Sequence, residues 1–132
     1  MTSKVTYQGE LRTSSMHLQS GTEIITDAPT DNHGRGEAFS PTDMVANSLA
    51  TCMFSIMGIK AREIGVNLEG STADVTKVMQ PSPRKIAKIE VVFTMKSDAD
   101  EKSRVILERV AHTCPVGLSL HPDIVQDITF NW

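Results

Sequence analysis

From Ser40 to Gly65 the chain reads SPTDMVANSLATCMFSIMGIKAREIG, and its apolar positions fall on every face of a helix. Met44, Val45, Leu49, Ala50, Cys52, Met53, Phe54, Ile56, Met57 and Ile59 share no single stripe, which predicts a helix enclosed by protein. Ser40 suits the N-cap, Pro41 the first helical position, and Asp43 stands three residues after the cap. Gly65 ends the pattern just after the basic residues Lys60 and Arg62. Asn47, Ser48, Thr51 and Ser55 interrupt the apolar run, so a membrane span is not expected.

Elsewhere the pattern is that of strands and shorter helices. Lys4–Leu11, Ser15–Gln19 and Thr22–Thr26 read as a small antiparallel sheet, with Ser20-Gly21 as a turn. Residues 27–39, DAPTDNHGRGEAF, form a loop that delivers the chain to the long helix. Residues 66–79 and Lys85–Lys96 read as a hairpin about the proline-rich turn QPSPR. Asp98 with Glu101 opens a second helix, whose apolar face is Val105, Ile106, Val110 and Thr113. Pro115 starts a short third helix to Leu120 with Cys114 at its cap, and Asp123–Trp132 closes the chain as a strand. The order β–β–α–β–β–α–α–β points to an α+β class, a single domain over residues 1–132.

Composition narrows the function classes. A net charge of −3 without a basic cluster speaks against nucleic acid. Two cysteines are too few for a secreted disulfide scaffold, and MTSKVTYQGE lacks a signal pattern, so a cytoplasmic protein is expected. Cys52, Cys114, His112 and His33 could in principle gather a metal, but no CxxC or HExxH spacing supports one. No GxSxG elbow and no phosphate-binding glycine loop occurs. The cysteines remain as candidate chemistry. A thiol reacts as thiolate, which a cation or a helix N-terminus favours. Cys114 has the second by position, whereas Cys52, in mid-helix, needs a cation brought to it by folding. Either could equally be packing only.

The segment GRGEAFSPTDMVANSLATCM resembles the first hallmark of the OsmC/Ohr family, and HTCPVGLSL is similar to its later Cys-Pro motif. The resemblance extends over essentially the whole chain. It implies an intertwined homodimer in which antiparallel sheets wrap long central helices. A partner subunit would also help a chain of 132 residues enclose a helix that is apolar all round. By the same resemblance the activity is reduction of organic hydroperoxides by thiols. Cys52 would become sulfenic acid, and Cys114 would close a disulfide that a dithiol, lipoyl groups in one branch, reopens. Arg12 would hold the thiolate and Asp43 would hold the arginine, since Thr42 fills the position after Pro41 where the peroxidases carry glutamate. Arg35 is the alternative cation. Met44, Met53, Phe54 and Met57 would form an apolar substrate pocket. No metal and no organic cofactor are implied. Two other readings stay open: a non-catalytic binder of small apolar ligands with vestigial thiols, and a purely structural pair of cysteines.

Overall fold

Three strands precede the long helix, one for each of the three segments expected there, so the element order gains a strand over β–β–α. The computed structural model describes residues 1–132 as two compact units, Met1–Val45 and Ala46–Trp132. In the first, β1 (Ser3–Gly9), β2 (Arg12–His17) and β3 (Glu23–Asp27) form an antiparallel sheet in that order. The β1–β2 hairpin turns on Glu10 and Leu11, which have φ of 52° and 61°. Two positive φ values suit the right-handed twist of a hairpin, but asparagine and glycine usually supply them. Here two side-chain-bearing residues do, and Arg12 begins β2 directly after this strained turn. Val5, Tyr7, Ile24 and Ile25 of this sheet are exposed.

The loop after β3 is drawn tight by its glycines. Gly34 N–H donates to the Pro29 carbonyl at 2.9 Å. A Cβ on Gly34 would stand 1.6 Å from the Ala28 oxygen, so no other residue fits there. Gly36 N–H returns to the same Ala28 oxygen at 3.3 Å, and its φ of 64° turns the chain toward Glu37.

Helix α1 spans Pro41–Ile64. It starts where its sequence predicts because Ser40 and Asp43 bond reciprocally. Asp43 N–H donates to Ser40 Oγ at 3.1 Å, and Ser40 N–H donates to Asp43 Oδ2 at 2.9 Å. Burial differs from the expectation of an all-round core. Ala46, Leu49, Ala50, Met53, Met57 and Ala61 are buried at helical spacing, while Val45 and Ile59 are exposed. The second unit holds one sheet, which covers one stripe of the helix. By length and composition α1 could cross a membrane, its polar interruptions notwithstanding. Those polar groups turn back on their own helix instead. Thr51 Oγ1 donates to the Ser48 carbonyl at 3.1 Å and Ser55 Oγ to the Thr51 carbonyl at 2.9 Å.

In the second unit β4 (Thr72–Pro81) and β5 (Arg84–Thr94) are an antiparallel hairpin, and α2 (Glu101–Ala111) and α3 (Pro115–Ser119) lead to β6 (Val125–Asn131). β6 pairs with β5 in parallel, so this sheet is mixed rather than wholly antiparallel. A crossover through two helices returns the chain in its original direction, and only a parallel pairing fits that. Asp100, not Asp98, caps α2: its side chain accepts Ser103 N–H at 2.8 Å. The core is the α1 stripe against Ile89, Val91 and Phe93 of β5, closed by Ala111 and Cys114. Phe93 stacks on Phe130 with centroids 5.0 Å apart and meets the edge of Phe54 at 4.8 Å.

The β1–β2 turn yields a stability prediction. Left-handed conformation costs a non-glycine residue about 1–2 kcal/mol, part of which the loss of chain entropy on adding glycine takes back. Replacing Glu10 by Asn and Leu11 by Gly together should raise stability by about 1 kcal/mol, read as a higher urea midpoint at unchanged slope.

Candidate active site

The second unit brings both cysteines together. Cys52 lies on the flank of the α1 stripe, between the buried Leu49 and Met53, and is itself half-buried. Cys114 is held by its neighbour in sequence. A proline disfavours helical geometry in the residue before it, and Cys114 takes φ −64° and ψ 137°, the extended form of an N-cap. Its sulfur then accepts Gly117 N–H at 3.2 Å, in the role that a serine oxygen plays at other helix caps. Only 1% of Cys114 is exposed. The two thiols are free, and Cys52 is near enough to Cys114 to shift its titration.

The electrostatics of Cys114 are mixed. Burial pushes its thiol up, the Gly117 N–H pulls it down in part, and the neighbouring Cys52 thiol pushes it up again. Space around Gly117 is tight. A Cβ there would stand 3.0 Å from Gln126 Oε1 and 3.2 Å from Cys114 Sγ. From the far side Gln126 Nε2 donates to the Gly117 carbonyl at 2.8 Å, tying α3 to β6. Chemically this is a pair of free thiols, Cys114 sealed and Cys52 half-buried.

The first unit contains a separate ionic constellation. Arg12 Nε donates to Asp27 Oδ1 at 2.7 Å and Nη2 to Asp27 Oδ2 at 2.7 Å, a bidentate pair across adjacent strands. Nη2 also donates to Glu37 Oε2 at 3.0 Å. The Asp27 side chain is fully buried and accepts Glu37 N–H at 3.2 Å as well. The hydrogen bonds from Arg12 hold the Asp27 carboxyl well below the usual carboxylate range, against the opposing effect of burial. The same contacts raise the Arg12 guanidinium further, so it stays charged at any working pH. Arg35 is exposed and adds a favourable field at Asp27.

The anchoring acid of Arg12 is therefore Asp27, with Glu37 beside it, whereas Asp43 closes the α1 capping box. Sequence reading passed over both acids. The strand register holds the signal that names Asp27, because Arg12 and Asp27 are direct cross-strand partners. Glu37 follows the glycine pair whose turn delivers it. Among the proposed pocket residues, Met53 and Met57 are sealed in the core at 1% and 0% exposure, and Met44 and Phe54 keep some surface. Packing against β5 took the first two, since they lie on the buried stripe. An open depression of about 630 Å³ lies elsewhere, lined by Asn67, Glu69, Gly70, Lys96, Ser97 and Asp98.

The depressed carboxyl sets a pH dependence. Its stabilising contribution is complete above the ordinary aspartate value of about 4 and is lost as pH falls through the lower folded value. Thermal melts should thus show the midpoint falling below about pH 4. Asp27→Asn should lower the midpoint at pH 7 and flatten that acid-side fall.

Comparison with known proteins follows the same outline. The family described as OsmC-like protein matches residues 34–129. A solved structure from Psychrobacter arcticus 273-4 is 54% identical and has a TM-score of 0.96, covering 99% of this chain and 96% of that one. Its assignment to an osmotic-stress-induced detoxification response is itself provisional. The organic hydroperoxide resistance protein OsmC of Legionella pneumophila has a TM-score of 0.73 at 17% identity, covering 100% and 98% of the two chains. OhrB of Bacillus subtilis, also an organic hydroperoxide resistance protein, has a TM-score of 0.69 at 20% identity and covers 99% and 98%. These two show likeness of fold. No curated protein sequence matches the chain. The family match over residues 34–129 and the 54% identity across nearly the whole length agree: this chain belongs to the OsmC-like protein family.

Proposed function

We propose that this protein is a thiol peroxidase for organic hydroperoxides, acting in defence against oxidative or osmotic stress. One observation carries the proposal: two free, neighbouring thiols, Cys52 half-buried on α1 and Cys114 sealed at the cap of α3. Fold relatives named for organic hydroperoxide resistance, and a close relative provisionally assigned to detoxification, support it. In the first step the Cys52 thiolate attacks the terminal oxygen of ROOH. The O–O bond breaks, Cys52 becomes sulfenic acid, and RO⁻ leaves and takes a proton. Cys114 then attacks the Cys52 sulfur, water departs, and a disulfide closes. An external dithiol, for which a lipoyl protein is the candidate, reopens it at the cost of its own oxidation.

In this reading Arg12 is the cation for the Cys52 thiolate. Asp27 and Glu37 engage its Nε and Nη2 and so fix the guanidinium in place. Asp43 acts by starting α1. Met44 and Phe54 give the substrate site its apolar character. The working unit is a homodimer. Val5, Tyr7, Ile24 and Ile25 on the first sheet, and Val45 and Ile59 on α1, are exposed apolar residues of the kind a partner subunit covers. A reducing, cytoplasmic setting suits a thiol pair that is re-reduced at every turnover.

Reduced protein mixed with cumene hydroperoxide should lose both thiols, and Cys52→Ser should lose none. Cys114→Ser should accumulate a sulfenic acid at Cys52, trapped by dimedone. Retention of all thiols in excess peroxide would sink the proposal and leave a non-catalytic binder of apolar ligands. The buried Cys114 makes the second step pH-dependent. Because burial pushes its thiol up, the thiolate fraction near neutrality is small and grows as pH rises. Disulfide closure followed by stopped flow should accelerate by about tenfold per pH unit through neutrality.

A further inference from the structure

We infer that the reductant attacks the Cys52 sulfur of the oxidised protein, and that Cys114 is the sulfur released. This deepens the proposed peroxidase cycle and rests on it for its physiological setting. The two sulfurs of the pair differ in access and in what receives each when the bond breaks. Cys114 is 1% exposed, with Gly117 packed so close that even a Cβ would stand 3.2 Å from its sulfur. An incoming thiolate must approach along the S–S axis, and at Cys114 that line of approach begins inside the core. Cys52 is half-buried and so keeps surface that an incoming thiolate can reach.

The departing side is prepared at Cys114. Gly117 N–H already points at Sγ from 3.2 Å, and a hydrogen bond to a thiolate is stronger than one to a thiol. Gln126, by holding the Gly117 carbonyl at 2.8 Å, keeps that N–H in place. One effect opposes this assignment: burial pushes the Cys114 thiol up, and thiols of higher pKa leave more slowly. That effect is graded, whereas a sealed sulfur is not attacked at all, so access decides.

The same burial then helps the second half of the reaction. The first thiolate of the dithiol forms a mixed disulfide on Cys52, the Cys52–Cys114 bond breaks, and Cys114 leaves as thiolate. It takes a proton readily in its apolar surroundings and, as a neutral thiol, does not attack Cys52 again. The second thiol of the reductant, after losing its proton, attacks the reductant's own bound sulfur. A cyclic disulfide leaves and Cys52 is freed as thiolate. One protein disulfide has been reduced and one dithiol oxidised. Peroxide and reductant thus meet the protein at one sulfur.

The test separates this inference from the peroxidase reading by making the disulfide with diamide, without peroxide. The oxidised full-length protein is treated briefly with limiting 2-mercaptoethanol, quenched in acid, alkylated with N-ethylmaleimide and mapped by peptide mass. The mercaptoethanol adduct should sit on Cys52 and the maleimide on Cys114, in at least roughly tenfold excess over the reverse. An adduct mainly on Cys114, an even split, or failure of diamide to join the two cysteines would each overturn the inference. If the adduct is on Cys52 but peroxide fails to oxidise the protein, the peroxidase reading falls and the direction of thiol exchange stands.

Discussion

The chemistry of this protein depends on the contact between one stripe of α1 and one face of β5. Leu49, Met53 and Met57 meet Ile89, Val91 and Phe93, each at 1% exposure or less. Burying a side chain of this size contributes about 1.5–3 kcal/mol, so the helix can neither rotate nor slide without losing most of that. Cys52 precedes Met53 and therefore sits at the edge of the stripe, where a sulfur is partly dry yet reachable. Phe93 extends the constraint, stacking on Phe130 of β6 and touching Phe54 of α1. Ala111 and Cys114 complete the same core, so the second sulfur is brought to the first by packing.

Two local devices act on that frame. The Cys114-Pro115 pair converts a backbone restriction into a hydrogen bond: the proline keeps Cys114 extended, and its sulfur meets the Gly117 N–H as a result. In the first unit Arg12 and Asp27 form a pair that neither could form alone. A buried carboxylate without a partner is costly, and a bidentate guanidinium with a supporting backbone N–H satisfies both oxygens. Glu37 arrives through a loop that tolerates only glycine at position 34. The strained Glu10-Leu11 turn precedes Arg12 in sequence, and that loop follows Asp27, its cross-strand partner. Local strain of this sort beside a charged group is common at functional sites.

Much of this was legible in the residues. Ser40, Pro41 and Asp43 set the start of α1 because capping is decided within four residues, and Pro115 set the start of α3 for the same reason. The resemblance carried by GRGEAFSPTDMVANSLATCM and HTCPVGLSL led to the family. Local patterns also misled where neighbours compete. Asp98 and Asp100 are both plausible caps, and the choice went to the one whose side chain reaches Ser103 N–H.

The opening pattern, a helix apolar on every face, determined that α1 is central but not which face is buried in this chain. A helix with no polar side has no preferred orientation of its own, and the single sheet of its unit made the choice. The sequence by itself determined the two thiols, the cap that holds one of them, and the family, because these rest on residues close together in the chain. Tertiary structure alone decided that Met53 and Met57 are core, that β6 runs parallel to β5, and that Asp27 rather than its rivals anchors Arg12. Each of those depends on strand register or on packing between segments far apart in sequence, which short-range patterns do not encode.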